Sequence, residues 1–398
     1  MAEPVLPSHA RVVVIGGGII GCSVAYHLAH AGWKDVVVLE RDRLTSGTTW
    51  HAAGLMVTFG STSETSTELR KYTRDLYARL PAETGQATGL KQCGFIEVAA
   101  DRDRLEEYRR VSAFNRYLGI DVLEISPREV GELFPLARTD DLLAGFYVKD
   151  DGRVDPVDVT MALAKGARQA GATILEGVAA TGVTTRGGAV TGVTTSHGTI
   201  GCEYVVNCAG MWARQLGEAS GVVIPNQAAE HYYLITEAVP GISASWPVLE
   251  DPGSYGYFRE EVGGLMIGLF EPVCAPWRVD GIPPEDASDE LAQAIEEALG
   301  TSEGWSIEAD PDDRDLQTVL FNYPASSGYG LDYGNNYGGH TGYVQPRIKL
   351  EFGARGDPEP FEQRDILPYV AEDFPDEVPD ASTTVPTLAL AALLSVPF

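Results

Sequence analysis

Four β-branched residues, Val12-Val13-Val14-Ile15, run directly into Gly16-Gly17-Gly18-Ile19-Ile20-Gly21. The apolar run reads as a buried strand. Gly16, Gly18 and Gly21 form the pattern Gly-x-Gly-x-x-Gly, a tight turn that feeds a helix over residues 25–31. Such a turn lets the backbone and the helix N-terminus approach a pyrophosphate, whose charge the helix dipole favours. Beyond it, Glu40 closes a second apolar run, Val36-Val37-Val38-Leu39, and a carboxylate at that place suits ribose hydroxyls. A glycine turn alone fits many strand-to-helix units. Strand before, helix after and acid at the right distance together select dinucleotide binding.

A chain of 398 residues has room for two or three domains and a sizeable core. Its 57 acids against 29 bases give a formal charge of −28, which repels nucleic acid and anionic membrane and implies neither as a partner. The five cysteines, at positions 22, 93, 202, 208 and 274, form no Cys-x-x-Cys pair, so neither a zinc site nor a disulfide framework is indicated. The first ten residues carry no signal or transit pattern, and no apolar run approaches the ~18 residues of a membrane span. A reducing, cytoplasmic setting is the expectation.

Along the chain, residues 62–80 are predicted as a helix with Leu69, Tyr72, Leu76 and Leu80 on one stripe. Residues 94–99 read as a strand and 102–118 as a helix. Ser126-Pro127-Arg128-Glu129 carries the marks of a capping box, and Asp155-Pro156-Val157-Asp158 repeats the device before a helix to about residue 170. Residues 142–148 and 152–155 lead back toward the dinucleotide domain. Residues 172–175, a hairpin over Arg186-Gly187-Gly188, and the run 204–212 complete its sheet. Residues 230–235, 254–260 and 264–268 read as strands of an antiparallel sheet.

After Glu40 comes a small-residue loop ending in Thr48-Thr49-Trp50-His51-Ala52-Ala53-Gly54-Leu55. Spacing alone reads its single histidine as one that hydrogen-bonds cofactor or backbone. With this motif, however, the chain resembles the dimethylglycine and sarcosine dehydrogenase family within the D-amino-acid-oxidase-like flavoproteins. The resemblance implies that His51 holds FAD through a covalent bond, a role compatible with a neutral imidazole on a flexible loop. It also implies that Ala209 and Gly210, ending the apolar strand Tyr204-Val205-Val206-Asn207-Cys208, lie beneath the cofactor, and that His231 and Tyr257 face the substrate. Arg259 fits a substrate carboxylate, or else is an exposed residue beside cross-strand aromatic packing.

The implied fold is α/β, a Rossmann-like FAD-binding domain with an inserted antiparallel-sheet substrate domain. FAD-binding parts are expected over about 11–60 and 150–220, and substrate-domain parts over about 61–149 and 221–285. The implied activity is oxidation of a small secondary or tertiary amine by hydride transfer to FAD, with oxygen or an electron-transfer protein as acceptor. This likeness stops near residue 285, before the family's last glycine-rich segment, so a truncated domain of weak turnover is expected. Residues 283–289 read as a linker. Residues 286–398 form an α+β segment, of which about 289–388 resembles a fragment of the abortive-infection nucleotidyltransferase toxin family. Glu351 stands where a third metal-binding acid could fall, without the paired acids that should precede it, and His340 lies in a polar loop. Two alternatives to the amine oxidoreductase follow: a non-catalytic flavin-binding or regulatory protein, and a nucleotidyltransferase fragment.

Overall fold

β1 (His9–Ile15) is buried through its second half, and with α1 (Ile19–His30) and β2 (Val36–Leu39) it forms a parallel βαβ unit. The computed structural model describes residues 5–270 apart from Glu230, Tyr232 and Glu237, together with Pro276, Ser306–Ala309 and Gln317–Leu320. After β3 (Leu55–Met56) come α2 (Glu64–Thr84), β4 (Phe95–Ala99), α3 (Arg102–Tyr117), β5 (Val122–Ile125), α4 (Pro127–Leu133), β6 (Ala144–Val148), β7 (Gly152–Arg153) and α5 (Pro156–Gln169). β8 (Thr173–Leu175), β9 (Ala180–Arg186), β10 (Ala189–Thr195), β11 (Gly198–Asn207) and α6 (Ala213–Ala219) return to the first sheet. β12 (Tyr233–Ile235), β13 (Val248–Asp251), β14 (Gly256–Glu261) and β15 (Gly264–Leu269) follow. β16 (Ser306–Ala309) and β17 (Gln317–Leu320) pair antiparallel with each other.

The first sheet has the order β8-β2-β1-β11-β10-β9, parallel from β8 to β11 and antiparallel over the hairpin β9–β10. Its parallel strands are apolar without alternation because both faces are covered, as such sheets require. α1 and α5 pack on one face. Gly166 of α5 makes this approach possible, since a Cβ there would lie 2.8 Å from the Tyr26 ring.

The second sheet, β12-β15-β14-β13-β4-β6-β5, draws strands from before and after the glycine-turn domain's return. It departs from the expected all-antiparallel pattern at one place: β13 pairs β4 in parallel, with Glu250 beside Glu97. β13 comes from a distant part of the chain, so no hairpin forces it to run antiparallel to β4. The helix starts behave as their residues dictate. Ser126 and Glu129 form both halves of the capping box, and Asp155 accepts from the Asp158 amide at 2.9 Å. On α2, Leu76 and Leu80 are buried. Tyr72 is 42 % exposed and bonded to His27 Nε2 at 2.8 Å, so the buried stripe runs instead through Thr73 and Tyr77. The linker at 283–289, the helix expected from residue 289, His340 and Glu351 lie outside the described residues.

Three carboxylates in or beside the second sheet are pushed toward the protonated form: Glu97 on β4, Glu250 on β13 and Asp151 between β6 and β7. Asp151 is fully buried and accepts from the Thr58 amide at 2.6 Å and the Thr58 hydroxyl at 2.9 Å. Burial pushes its carboxyl up from 3.8 to about 7, against the pull of those two bonds. Burial likewise raises Glu97, opposed by the Tyr108 hydroxyl, and raises Glu250 well above its usual range, with the Glu97 charge adding to it. Between its unfolded and folded values such an acid binds more protons in the native state. The stability it lends is therefore full at low pH and is lost as pH rises toward the folded value. Asp151→Asn removes that dependence. In urea unfolding at several pH values, the variant's stability relative to the parent should improve as pH is raised from about 5 to about 8, by at most ~1.4 kcal/mol per pH unit. A difference that does not move with pH would count against the raised carboxyl.

Candidate cofactor and substrate site

The glycine turn is built by contacts that exclude side chains. Gly16 has φ +113°, in the left-handed region, and a Cβ there would come 2.2 Å from the Cys208 carbonyl oxygen. A Cβ at Gly21 would lie 1.9 Å from the Gly16 carbonyl oxygen. The first and third motif glycines thus let β1, the first turn of α1 and the end of β11 come together. Gly18 is the N-cap of α1 and has no side chain to offer, and the neighbouring Ile19 amide donates instead to Thr49 Oγ1 at 3.0 Å. Thr49 therefore stands at the helix N-terminus, where a phosphate oxygen would compete for the same donors. Sequence reasoning passed over Thr49. The signal was present, because it sits two residues before His51 in the same motif.

Glu40 is nearly buried. Its carboxylate accepts from the Gly17 amide at 2.7 Å and the Asp42 amide at 2.9 Å, which fixes it at the mouth of the turn. Ala209 is held by the hydrogen bond that its backbone N–H donates to Asn207 Oδ1 at 3.1 Å. Gly210 has φ +56° and open space where a Cβ would be, so the backbone at the end of β11 is accessible to a ligand. Arg41 lies 3.8 Å over the Trp212 ring, a contact between residues far apart in the chain that no local pattern signals.

His51 ends a short 3₁₀ turn, Thr48–His51, with its ring centroid 3.6 Å from that of Trp50. The imidazole is half-buried, and burial lowers its pKa, which favours the neutral ring. The residues that follow are pinned. Gly54 has φ +69° and a Cβ there would meet the Val154 carbonyl oxygen at 2.3 Å. The Val154 amide in turn donates to Gly54 O at 2.8 Å, and β3 pairs with β7. Ala53 and Leu55 then pack with Phe95, Val248, Tyr257 and Met266 in one apolar cluster. The histidine loop and the second sheet meet at this cluster.

Tyr257 is 1 % exposed, on β14. Its ring crosses Gly268 of β15, where a Cβ would fall 2.1 Å from the phenol oxygen, so the glycine makes room for the tyrosine. His231 precedes β12 instead of lying on a strand, and it is exposed. Both rings meet Phe270, His231 stacked at 5.9 Å and Tyr257 tilted at 4.9 Å. The structure thus brings His231 and Tyr257 together through Phe270, a residue not singled out in the sequence. Arg259 is 6 % exposed, contrary to the reading that placed it on the surface. A neighbouring acid, Glu261, makes that burial tolerable through an ion pair.

A glycine turn closed against a helix N-terminus and an acid at the end of β2 are the features of an α/β fold of the dinucleotide-binding kind, here with a second sheet packed beside the histidine loop. The chain belongs to the FAD dependent oxidoreductase family, whose model matches residues 11–314. Residues 274–395 match the model for the nucleotidyl transferase AbiEii toxin of Type IV toxin–antitoxin systems. The chain is 38 % identical over 317 residues to mitochondrial dimethylglycine dehydrogenase of Rattus norvegicus, covering 75 % of this chain and 36 % of that protein. It is 39 % identical to 4-methylaminobutanoate oxidase (formaldehyde-forming) of Paenarthrobacter nicotinovorans, over 70 % of this chain and 34 % of the other. It is also 40 % identical to the mitochondrial pyruvate dehydrogenase phosphatase regulatory subunit of Mus musculus, over 69 % and 32 %. The chain therefore spans about a third of the length of these relatives. Among solved structures, L-proline dehydrogenase from P. horikoshii superposes with a TM-score of 0.64 at 24 % identity, covering 77 % of this chain and 86 % of that one, and shares the fold. L-amino acid deaminase from Proteus vulgaris gives 0.60 at 26 %, covering 67 % and 62 %. Among the described residues no helix is long and apolar enough to cross a membrane.

The close glycine contacts generate a comparison between two positions. Gly21→Ala forces a methyl onto a backbone carbonyl and should cost about 3 kcal/mol or more in urea unfolding. Gly32→Ala meets open space, and only its φ of +86° opposes it, so about 1–2 kcal/mol is expected. Equal losses at the two positions would show that the turn is less tightly closed than described.

Proposed function

We propose that this chain binds FAD in the glycine turn and oxidises a small secondary or tertiary amine of the sarcosine or dimethylglycine class. The turn suits the group: two glycines keep the backbone clear, Glu40 is fixed where ribose hydroxyls would reach it, and Gly210 leaves open backbone near Ala209. His51 is the residue that holds the cofactor covalently. The observation that carries this reading is a half-buried imidazole, lowered in pKa by burial, on a loop pinned to the cluster that contains Tyr257.

When bound, FAD supplies the two-electron acceptor that no protein side chain provides. The protein's work is to present the amine with its nitrogen lone pair free, because a protonated nitrogen cannot develop the iminium that hydride loss requires. His231 and Tyr257, joined at Phe270, are the groups to hold the amine and take that proton. The acidic surface repels polyanions and leaves small molecules, and oxygen or an electron-transfer protein serves as acceptor. A regulatory, non-catalytic flavin protein is the second reading, supported by the likeness to the phosphatase regulatory subunit. The separating test is anaerobic bleaching of the flavin by dimethylglycine or sarcosine, expected only of the enzyme.

Acid precipitation of the purified protein should leave the yellow colour on the polypeptide, and His51→Ala should release it. Colour found wholly in the supernatant of the parent would overturn the covalent link. Tyr257→Phe should keep the colour but slow bleaching by about 10²-fold or more, measured by stopped flow. Bleaching at the parental rate would remove the phenol from the chemistry.

A further inference from the structure

The second sheet is closed at a seam. β12, β15, β14 and β13 come from residues 233–269, β4, β6 and β5 come from residues 95–148, and the two groups join where β13 lies parallel to β4. Three register pairs make the join: Val248 with Phe95, Leu249 with Ile96 and, at its end, Glu250 with Glu97. The first two pairs are apolar and buried, one on each face of the sheet. The third sets two carboxyl groups directly opposite each other, one strand spacing apart, where like charges repel. Past it the ladder between β4 and β6 runs on through Ala99.

Glu97 is buried and Glu250 partly so. No ion pair reaches either carboxyl among the described residues. Two arginines act on both from a distance, and each is engaged elsewhere. Arg70 of α2 donates from Nη1 to the Phe59 carbonyl at 2.6 Å, and Arg104 of α3 is paired with Glu107 at 2.7 Å. The Tyr108 hydroxyl, also of α3, hydrogen-bonds Glu97, while the Glu107 charge acts on Glu97 and the Asp251 charge on Glu250. Burial raises both carboxyls. A carboxylic acid facing a carboxylate is a satisfied pair, because its O–H donates to the other's oxygen. Two carboxylates in the same place have no donor between them.

We propose that Glu97 and Glu250 share one proton across the seam and that release of this proton loosens β13 from β4, which gives the second sheet a pH-sensitive closure at its parallel pairing. Tyr257 lies opposite Glu250 on the other side of β13, so the loosening reaches the apolar cluster of Ala53, Phe95, Val248 and Tyr257. The inference stands whether or not the chain oxidises amines. Between the ordinary carboxyl value and the raised one, the closed seam holds one proton more than the open seam. Opening therefore grows with pH, by at most about tenfold per pH unit. Asp151, raised to about 7 beside the same sheet, is the rival source of such a dependence.

Hydrogen exchange of the full chain, read by mass spectrometry as protection relative to the unstructured rate at each pH, tests this between about pH 5 and about pH 9. Protection over Val248–Asp251 should fall by about tenfold or more as pH rises, while β1 and β2 keep theirs. Glu250→Gln removes one charge and supplies an amide donor to Glu97, and should keep the seam protected across the range. Glu97→Gln should do the same. Asp151→Asn should leave the parental fall in place. Should one Gln variant fail to fold, the other decides together with the parent's own profile. A parent whose protection at β13 ignores pH, a fall that persists in a folded Gln variant, or one that vanishes in Asp151→Asn would overturn the proposal. So would loss of protection over the first sheet in step with β13, which is general unfolding and not a seam.

Discussion

The contact on which the site depends is made between backbone atoms. The Gly16 carbonyl oxygen lies where a Cβ of Gly21 would be, and the Cys208 carbonyl oxygen lies where a Cβ of Gly16 would be. Two bare α-carbons thus let the first strand, the first helix and the last parallel strand share one point. From that point the order of the sheet follows: β2 and β11 flank β1, the carboxylate of Glu40 reaches the Gly17 amide, and the helix N-terminus faces the crevice above the strand ends. Nothing in this arrangement needs a particular side chain except Glu40. That is why so short a run of residues could be read so far.

The second sheet is held by different means. It is a sheet whose strands come from separate parts of the chain, and apolar packing attaches it to the residues just after His51. Tyr257 lies flat only because Gly268 lacks a side chain, and Phe270 then gives His231 and Tyr257 a common neighbour. The enzyme-like features are thus divided. Backbone geometry makes the glycine turn, and side-chain packing makes the cluster around Tyr257.

That division also explains what could be read in advance. The βαβ unit, the capping box at Ser126, the hairpin over Gly187 and the strands around Tyr257 follow from local rules of period, cap and turn, and were legible. The parallel pairing of β13 with β4 was not, because it joins residues far apart in sequence and no local signal encodes it. The burial of Arg259 escaped for the same reason. An arginine between Phe258 and Glu260 looks solvent-facing until the strand's neighbours and its ion pair with Glu261 are known. Tyr72 failed in the opposite sense, since an aromatic at helical spacing was read as core but faces outward against His27. Thr49 and Phe270 gain their interest only from what the fold places beside them.

Arg153 has a consequence of its own. It stands on β7, which pairs with β3 beyond the histidine loop, and its guanidinium is buried against both the carbonyl and the carboxylate of Glu260 on β14. One side chain therefore rivets the short β3–β7 pair beside the histidine loop to the second sheet, with the Ala53–Leu55 packing as a second fastening nearby. Two parts joined in this way cannot swing apart like jaws without exposing an unpaired charge to an apolar interior.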